Sequence, residues 1–354
     1  MPATTNVGAS QSSAKPVDRA ALEARLVREL DGGRAALPIL PHVAAQAIRF
    51  ANDPNSDLRK LAELVEADPP IAARLLAVAN SVIYSRAVRV STTRLAIIRL
   101  GLEGTRDLLF QVVYASSTVG LPRYQDLVAR SFRRSVLCGI AARLVSDKMR
   151  YRFEYDYLCG LLHDIGEARI YRILANYKEE IEPSVVDYLV TRYHRRAGSE
   201  LAIAWGLPEP IIEACAHHHD DPAKASNLVK MVMMADILVA ILDRRQSAAA
   251  AAAAAAKAEE EELAAEPAPD ATSATWSKTD DSPANPTASS SSMRPVAPAP
   301  SGTGPAAGEA AAPELTPEER EALDFHHLEK LGMPGEMAAT ILTKIEESLG
   351  DLPL

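Results

Sequence analysis

The sequence predicts an all-α fold built as a bundle of short amphipathic helices. Three observations carry that expectation. Apolar residues recur at three- and four-residue spacing through most of 18–245, as in Leu22, Leu26 and Leu30. Capping and helix-stopping residues punctuate these stretches at helix-length intervals. Alternating polar and apolar strands joined by hairpin turns are absent. Helices of this kind bury their stripes against one another.

The elements follow in order. Residues 1–17 are small and polar and read as a disordered lead. Asp18 is placed to cap a first helix that stops at Gly32-Gly33. Leu37-Pro38-Ile39-Leu40-Pro41 reads as a rigid extended entry to a helix through Val43, Ala47 and Phe50. Asp57 is placed to cap the next, with Leu61, Leu64 and Val65 inward. Asp68-Pro69-Pro70 starts another, with aspartate as cap and proline in the first turn, and Asn80-Ser81 caps or turns its end. Ser91 opens a helix closed by Leu100-Gly101, and Glu103 begins the following one. Helical spacing continues over 127–145, 155–174, 185–205, 209–217 and 225–242.

At Ser247 the character changes. Residues 248–256 are all alanine and are expected to extend the preceding helix and fray. From 267 to 313 the chain is rich in Pro, Ala, Ser and Thr and is expected to be disordered. Thr316-Pro317-Glu318-Glu319 restarts a helix, and Leu323, Leu328, Leu331, Met337, Ile341, Leu342 and Ile345 give it and its successor an apolar face. A segment that short does not make a domain, so 316–354 is expected to dock on the 18–245 body, with 246–315 as helix extension and linker.

Composition narrows the function. Of 354 residues, 47% are hydrophobic and 24% charged, which is globular usage. The net charge of −9 lies mostly in the tail: residues 246–354 carry 6 basic against 19 acidic side chains, while 1–245 is nearly balanced. No basic footprint points to nucleic acid. Cys138, Cys159 and Cys215 are widely spaced with no Cys-x-x-Cys, which fits buried thiols in a reducing compartment. The first residues have no apolar signal region, and 231–242 is too short to cross a bilayer. A cytoplasmic protein without membrane contact is expected.

Ligand-type side chains concentrate in one region. His163-Asp164 sits in the apolar run Leu158, Leu161, Leu162 and Ile165, and Gly166 lets the backbone pass close by. His194, the triplet His217-His218-His219 and Asp236 follow. Imidazole and carboxylate are good ligands for a divalent ion such as Mn2+, Fe2+, Mg2+ or Zn2+. Asp236 lies on an apolar helix, where a carboxylate needs a partner or a metal. His194, between Tyr193 and Arg195-Arg196, reads rather as a surface-helix histidine than as a ligand, and His326-His327 in the tail read as surface residues.

Leu37-Pro38-x-Leu40-Pro41, Asp68-Pro69, Asn80-Ser81, Leu100-Gly101, His163-Asp164-Ile165-Gly166, Trp205-Gly206-Leu207-Pro208, His218-His219 and Ala235-Asp236 occur in the order that resembles the HDOD family, the HD-related output domain of bacterial signalling proteins. The resemblance implies an HD-like helical bundle, with 37–120 as its N-terminal half and 121–245 as its HD-like half. Leu328-Glu329-Lys330-Leu331-Gly332 resembles the family's last helices. In the related HD phosphohydrolases an earlier histidine, the His-Asp pair and a late aspartate hold one metal, and further histidines a second. His163, Asp164 and Asp236 match part of the first set, and His194, His218 and His219 the second. Arg134 stands about where the earlier histidine belongs. Guanidinium has only donors and a permanent charge, so it replaces no imidazole and repels a metal. Pairing of Arg134 with Asp164 is the expected alternative to a metal bridge.

Three functions are open on this reading. A non-catalytic signalling module would act through contacts with other signalling proteins or a second copy of itself. A metal-dependent phosphohydrolase would act on a nucleotide or cyclic dinucleotide. A scaffold would use its disordered insertion.

Overall fold

In the computed structural model, residues 18–32, 46, 58–81, 88–118, 120–265 and 315–349 are described, and among them the regular structure is entirely helical. The 1–17 lead, the 37–41 entry, the helix around 43–50, the Asp57 cap and the 267–313 linker lie outside the described residues. Among the described residues twelve α-helices follow in order: α1 (Arg19–Asp31), α2 (Leu58–Glu66), α3 (Pro69–Ala79), α4 (Thr93–Thr118), α5 (Gln125–Met149), α6 (Asp156–Leu162), α7 (Ile165–Ala175), α8 (Pro183–Ala204), α9 (Glu209–His217), α10 (Asn227–Ala265), α11 (Pro317–Lys330) and α12 (Gly335–Leu349). None is long and apolar enough to cross a membrane.

Local chemistry explains the boundaries. Asp18 accepts from the Ala20 amide at the start of α1, and Asp68 from Ile71 at the start of α3. The Asn80 amide donates to Leu76 and Val90 carbonyls while its oxygen accepts from the Val90 amide, so it ties the end of α3 to the approach to α4. The helix expected from Ser91 begins at Thr93, and Thr92 Oγ1 accepts from Leu95. Gly101 (φ 72°) kinks α4, so the stop expected there is a bend between two helical pieces. The 155–174 stretch is not one helix. It breaks at His163-Asp164, which separates α6 from α7, and the break turns both side chains toward α8 and α10.

The chain forms two units, 1–245 with 320–354, and 246–319. In the first, one large apolar cluster unites α5, α6, α9 and α10 with Leu328, Leu331, Met333, Ala338, Ile341, Leu342 and Ile345 of the last two helices. A second cluster joins α1, α7 and α8, and a third joins α2, α3 and α4. Arg244 also pairs with Asp324, and Arg245 with Glu321 at 2.6 Å. In the second unit the alanine run is helical and exposed as part of α10. There the Glu319 amide donates to Thr316 Oγ1 (3.2 Å) and Glu319 Oε2 accepts from the Thr316 amide (2.8 Å), a reciprocal cap for α11.

Two glycines set the helix spacing around the site. A Cβ at Gly166 would stand 2.8 Å from the carbonyl carbon of His194 and 2.5 Å from the Gly198 nitrogen, so only glycine lets α7 lie against α8. A Cβ at Gly160 would meet Cys138 backbone and the Ala142 methyl, at 2.7 Å, where α6 crosses α5.

Candidate metal centre

Three helix ends and two helix faces meet around Asp164. His163 ends α6, Asp164 heads α7, His194 comes from the middle of α8, His218 and His219 follow α9, and Asp236 comes from α10. His163 is wholly buried, and His194 and His218 are nearly so. His194 is therefore no surface histidine. His217 turns outward, where Nδ1 meets Asp220 at 2.7 Å, and His219 is also exposed while His218 points in.

The hydrogen bonds fix how each imidazole presents itself. His163 Nδ1 lies 2.8 Å from the Gly160 carbonyl, His194 Nδ1 3.0 Å from that of Val190, and His218 Nδ1 2.9 Å from that of Ala214. A carbonyl only accepts, so each Nδ1 carries a proton and each ring turns its Nε2 inward. His194 and His218 then face each other through Nε2 atoms 3.2 Å apart. Asp164 Oδ1 lies 3.1 Å from His218 Nε2 and 3.6 Å from His194 Nε2, and makes no hydrogen bond. Converging lone pairs and a carboxylate repel one another unless a cation sits among them. Metal–ligand bonds of about 2.0–2.1 Å in a tetrahedral arrangement put neighbouring N and O ligands about 3.4 Å apart, which matches. His219 completes the set, with one ligand atom from each of Asp164, His194, His218 and His219 within 4.8 Å of the others. The residues fit a single divalent ion, and backbone acceptors on two of its imidazoles, His194 and His218, are the usual second-layer support.

The other side of Asp164 is different. His163 Nε2 is 3.1 Å from Asp164 Oδ2 and 3.6 Å from Asp236 Oδ1. Arg134, from α5, places its guanidinium 2.5 Å from Asp236 Oδ1. The expected Arg134–Asp164 pair is thus corrected to Arg134–Asp236, because α10 brings Asp236 across the bundle to the α5 face carrying Arg134. One turn further along α5, Cys138 Sγ stands 3.8 Å from the same Asp236 oxygen. The sequence reading treated Cys138 only as a small core thiol. The signal that could have found it is its four-residue spacing from Arg134, which puts both on one helix face.

The charges respond accordingly. Burial alone would lower the His163 imidazole, but Asp164 and Asp236 outweigh it and push it up. Burial alone would raise Asp236, but Arg134 and then His163 hold it below the carboxylate range. Burial, then the neighbouring His218, lowers His219 to about 4, which leaves it neutral and ligand-ready at physiological pH. Glu167, one turn into α7, is pushed up to about 7 by burial and by Asp164.

A cavity of about 530 Å³ opens onto this region, lined by His218, His219, Asp236, Lys230, His327 and Lys330 among others. His327, expected simply at the surface, therefore lines the cavity wall. His326 is exposed.

Helical architecture and a histidine–aspartate centre of this kind define an HD-type protein, and the comparisons agree. The model of the HDOD domain matches residues 37–221, more than half of the chain, and the chain belongs to the HDOD family. It is 26% identical over 198 residues to an uncharacterised protein of Treponema pallidum (strain Nichols), a match covering 51% of this chain and 37% of that protein's length. Its fold is similar to that of a provisionally named metal-dependent phosphohydrolase from Shewanella amazonensis SB2B, with a TM-score of 0.54 and 23% identity over 62% of this chain and 82% of the other. An HDOD domain protein of unknown function from Geobacter sulfurreducens aligns with a TM-score of 0.46 and 25% identity, over 62% and 78% of the two chains.

Proposed function

We propose that this HDOD chain is a signalling module that works through protein contacts, holds one divalent ion and does not turn over phosphodiesters. The observation that carries the reading is Arg134 on Asp236 at 2.5 Å. The late aspartate is already neutralised by a permanent cation, and a metal beside it would meet guanidinium repulsion. The remaining ligands, Asp164, His194, His218 and His219, would hold one ion, and three imidazoles suit Mn2+, Fe2+ or Zn2+ better than Mg2+, which prefers oxygen. In this role the ion ties α7, α8 and the end of α9 together, so its occupancy sets the geometry of surfaces offered to signalling partners or to a second copy of the chain. A cytoplasmic location goes with this reading.

A second reading, a metal-dependent phosphohydrolase, is favoured by the cavity. His218 and His219 reach its wall together with Lys230 and Lys330, which would hold the charge of a phosphate. A bound metal would supply activated water there. The test loads the purified full chain with Mn2+, Fe2+ or Zn2+, measures metal content, and assays a generic phosphodiester and cyclic dinucleotides. One equivalent, lost in His218→Ala, with no turnover is expected. Turnover that disappears in His163→Ala would overturn the non-catalytic reading.

A further inference from the structure

Away from the metal centre, we propose that the outer face of the first half of α4 is a self-association surface, on which a second copy of this chain docks its own α4 in the antiparallel sense. Val88, Leu95 and Ile98 are 72%, 47% and 55% exposed, and they are three of the seven large hydrophobic side chains exposed among the described residues. All three fall within the short stretch 88–98. The opposite side of the same helix is already used, because Ala96, Ile97 and Leu100 are buried in the cluster of α2, α3 and α4. A helix that is apolar on both sides is suited to being covered on both, and a concentrated exposed apolar patch marks a contact surface.

The face is built in advance. Asn80, at the end of α3, clasps Val90: its Nδ2 donates to the Val90 carbonyl at 2.9 Å, and its Oδ1 accepts from the Val90 amide at 2.9 Å. Arg99 donates to the carbonyl of Val88 and, at 3.2 Å, to that of Ala79. Arg99 stands one turn after Leu95 and next to Ile98, so these bonds strap Val88 alongside the two helix residues. The Asn80-Ser81 pair thus shapes a surface as well as ending a helix. A surface fixed in this way loses little freedom on binding.

Charge selects the occupant. Arg89 and Arg94 flank the apolar face toward the start of α4, and Glu103 follows its other end, all three exposed. An anionic membrane or a wholly acidic partner would meet Glu103 with like charge, and a wholly basic partner would meet the arginines. An antiparallel second copy reverses the order. Turned about a twofold near Ile98, the Arg94 end of one α4 lies along the Glu103 end of the other, and Ile98 meets Ile98. Such a pairing closes on two copies. From this face α4 bends at Gly101 and enters the main core through Phe110, Val113 and Tyr114, so the contact bears on the bundle that carries the histidines. The inference rests on the reading of the chain as a contact-making module and is independent of the ion.

The test is sedimentation equilibrium of the purified full chain at low salt. One helix face is a small interface, so a monomer–dimer equilibrium with Kd of about 10–100 µM is expected. Ile98→Asp sets two carboxylates together at the twofold and should abolish the dimer, while Ile203→Asp, at a similarly exposed position on α8, should leave it unchanged. Arg94→Glu should weaken pairing by about tenfold, and adding Glu103→Arg should restore most of the loss. Circular dichroism checks that each variant is folded, and the charge swap carries the test if Ile98→Asp is not. Zn2+ content and phosphodiester turnover, measured on the same samples, bear on the earlier reading alone. A parent that stays monomeric overturns the proposal, as does a dimer indifferent to Ile98→Asp or a folded charge swap that fails to restore pairing. A monomeric parent that binds phosphatidylglycerol vesicles through Ile98 overturns it in favour of a membrane surface.

Discussion

Gly166→Ala should damage the fold and the metal centre together, because one methyl group strikes the backbone that carries His194. The added Cβ would lie 2.8 Å from the His194 carbonyl carbon and 2.5 Å from the Gly198 nitrogen. Ordinary carbon contacts are about 3.5 Å or more, so α8 must retreat by about 1 Å. Both obstacles are main chain, and no side chain can rotate to make room. Overpacking typically costs about 1–3 kcal/mol, and a clash with rigid backbone belongs at the upper end. At about 2–4 °C per kcal/mol for a body of this size, the melting midpoint should fall by about 6–12 °C. The same retreat carries His194 Nε2 away from Asp164 Oδ1, now 3.6 Å apart, and from His218 Nε2, now 3.2 Å. Metal affinity should drop by about tenfold or more, since only about 1.4 kcal/mol is needed. Thermal melting of the metal-free protein and calorimetric titration with Zn2+ measure the two effects separately. A variant with the parent's midpoint and affinity would refute the close-packing argument.

Two further outcomes follow from the core and its charges. In metal-free protein Glu167 has a folded-state value of about 7 against an ordinary 4.5, so its stabilising protonation is complete below 4.5 and is lost as pH rises through 7. Glu167→Gln should leave urea stability unchanged near pH 4 and raise it by up to about 3 kcal/mol at pH 8; a parallel pH dependence in both proteins would contradict the assignment. Truncation after Arg245 removes seven buried apolar side chains of the α11–α12 segment from the main core. At about 1.5–3 kcal/mol each this rivals the stability of a whole domain, so cooperative melting should vanish, whereas excising 267–313 alone should change the midpoint little. An intact melting transition after truncation would make the tail an independent peptide.

Much of the centre was legible in the sequence because its ligands come in short local patterns. His163-Asp164, His218-His219 and Asp236 each stand out in an apolar run, and the structure gathers them within one cluster of contacts. What could not be read was register across the bundle. Arg134 and Asp236 are 102 residues apart, and nothing in either helix says which of two nearby carboxylates the guanidinium reaches. His194 misled because the arginines beside it point to solvent while its own side chain, a different direction on the same helix, points in. The α6–α7 break was hidden by unbroken apolar spacing, since both pieces bury nearly every face and periodicity no longer marks a boundary. The caps at Asp18 and Asp68 were legible because a side chain bonded two or three residues away depends on nothing distant.

The order in which the core is completed along the chain matters during synthesis. Helix α5, against which α12 packs, and α10 leave the ribosome well before the helices that finish their shared core. About a hundred residues separate Leu242 from Ile345, which at about 5–20 residues per second is a delay of about 5–20 s. Throughout that interval the nascent chain carries an unfinished apolar face. The segment made meanwhile is acidic and poor in large apolar residues, so the growing chain is spaced and charged while it waits. A ribosome that stalls between 246 and 315 leaves that face permanently open, which makes this stretch the point in translation where the protein is most exposed to aggregation and to chaperone capture.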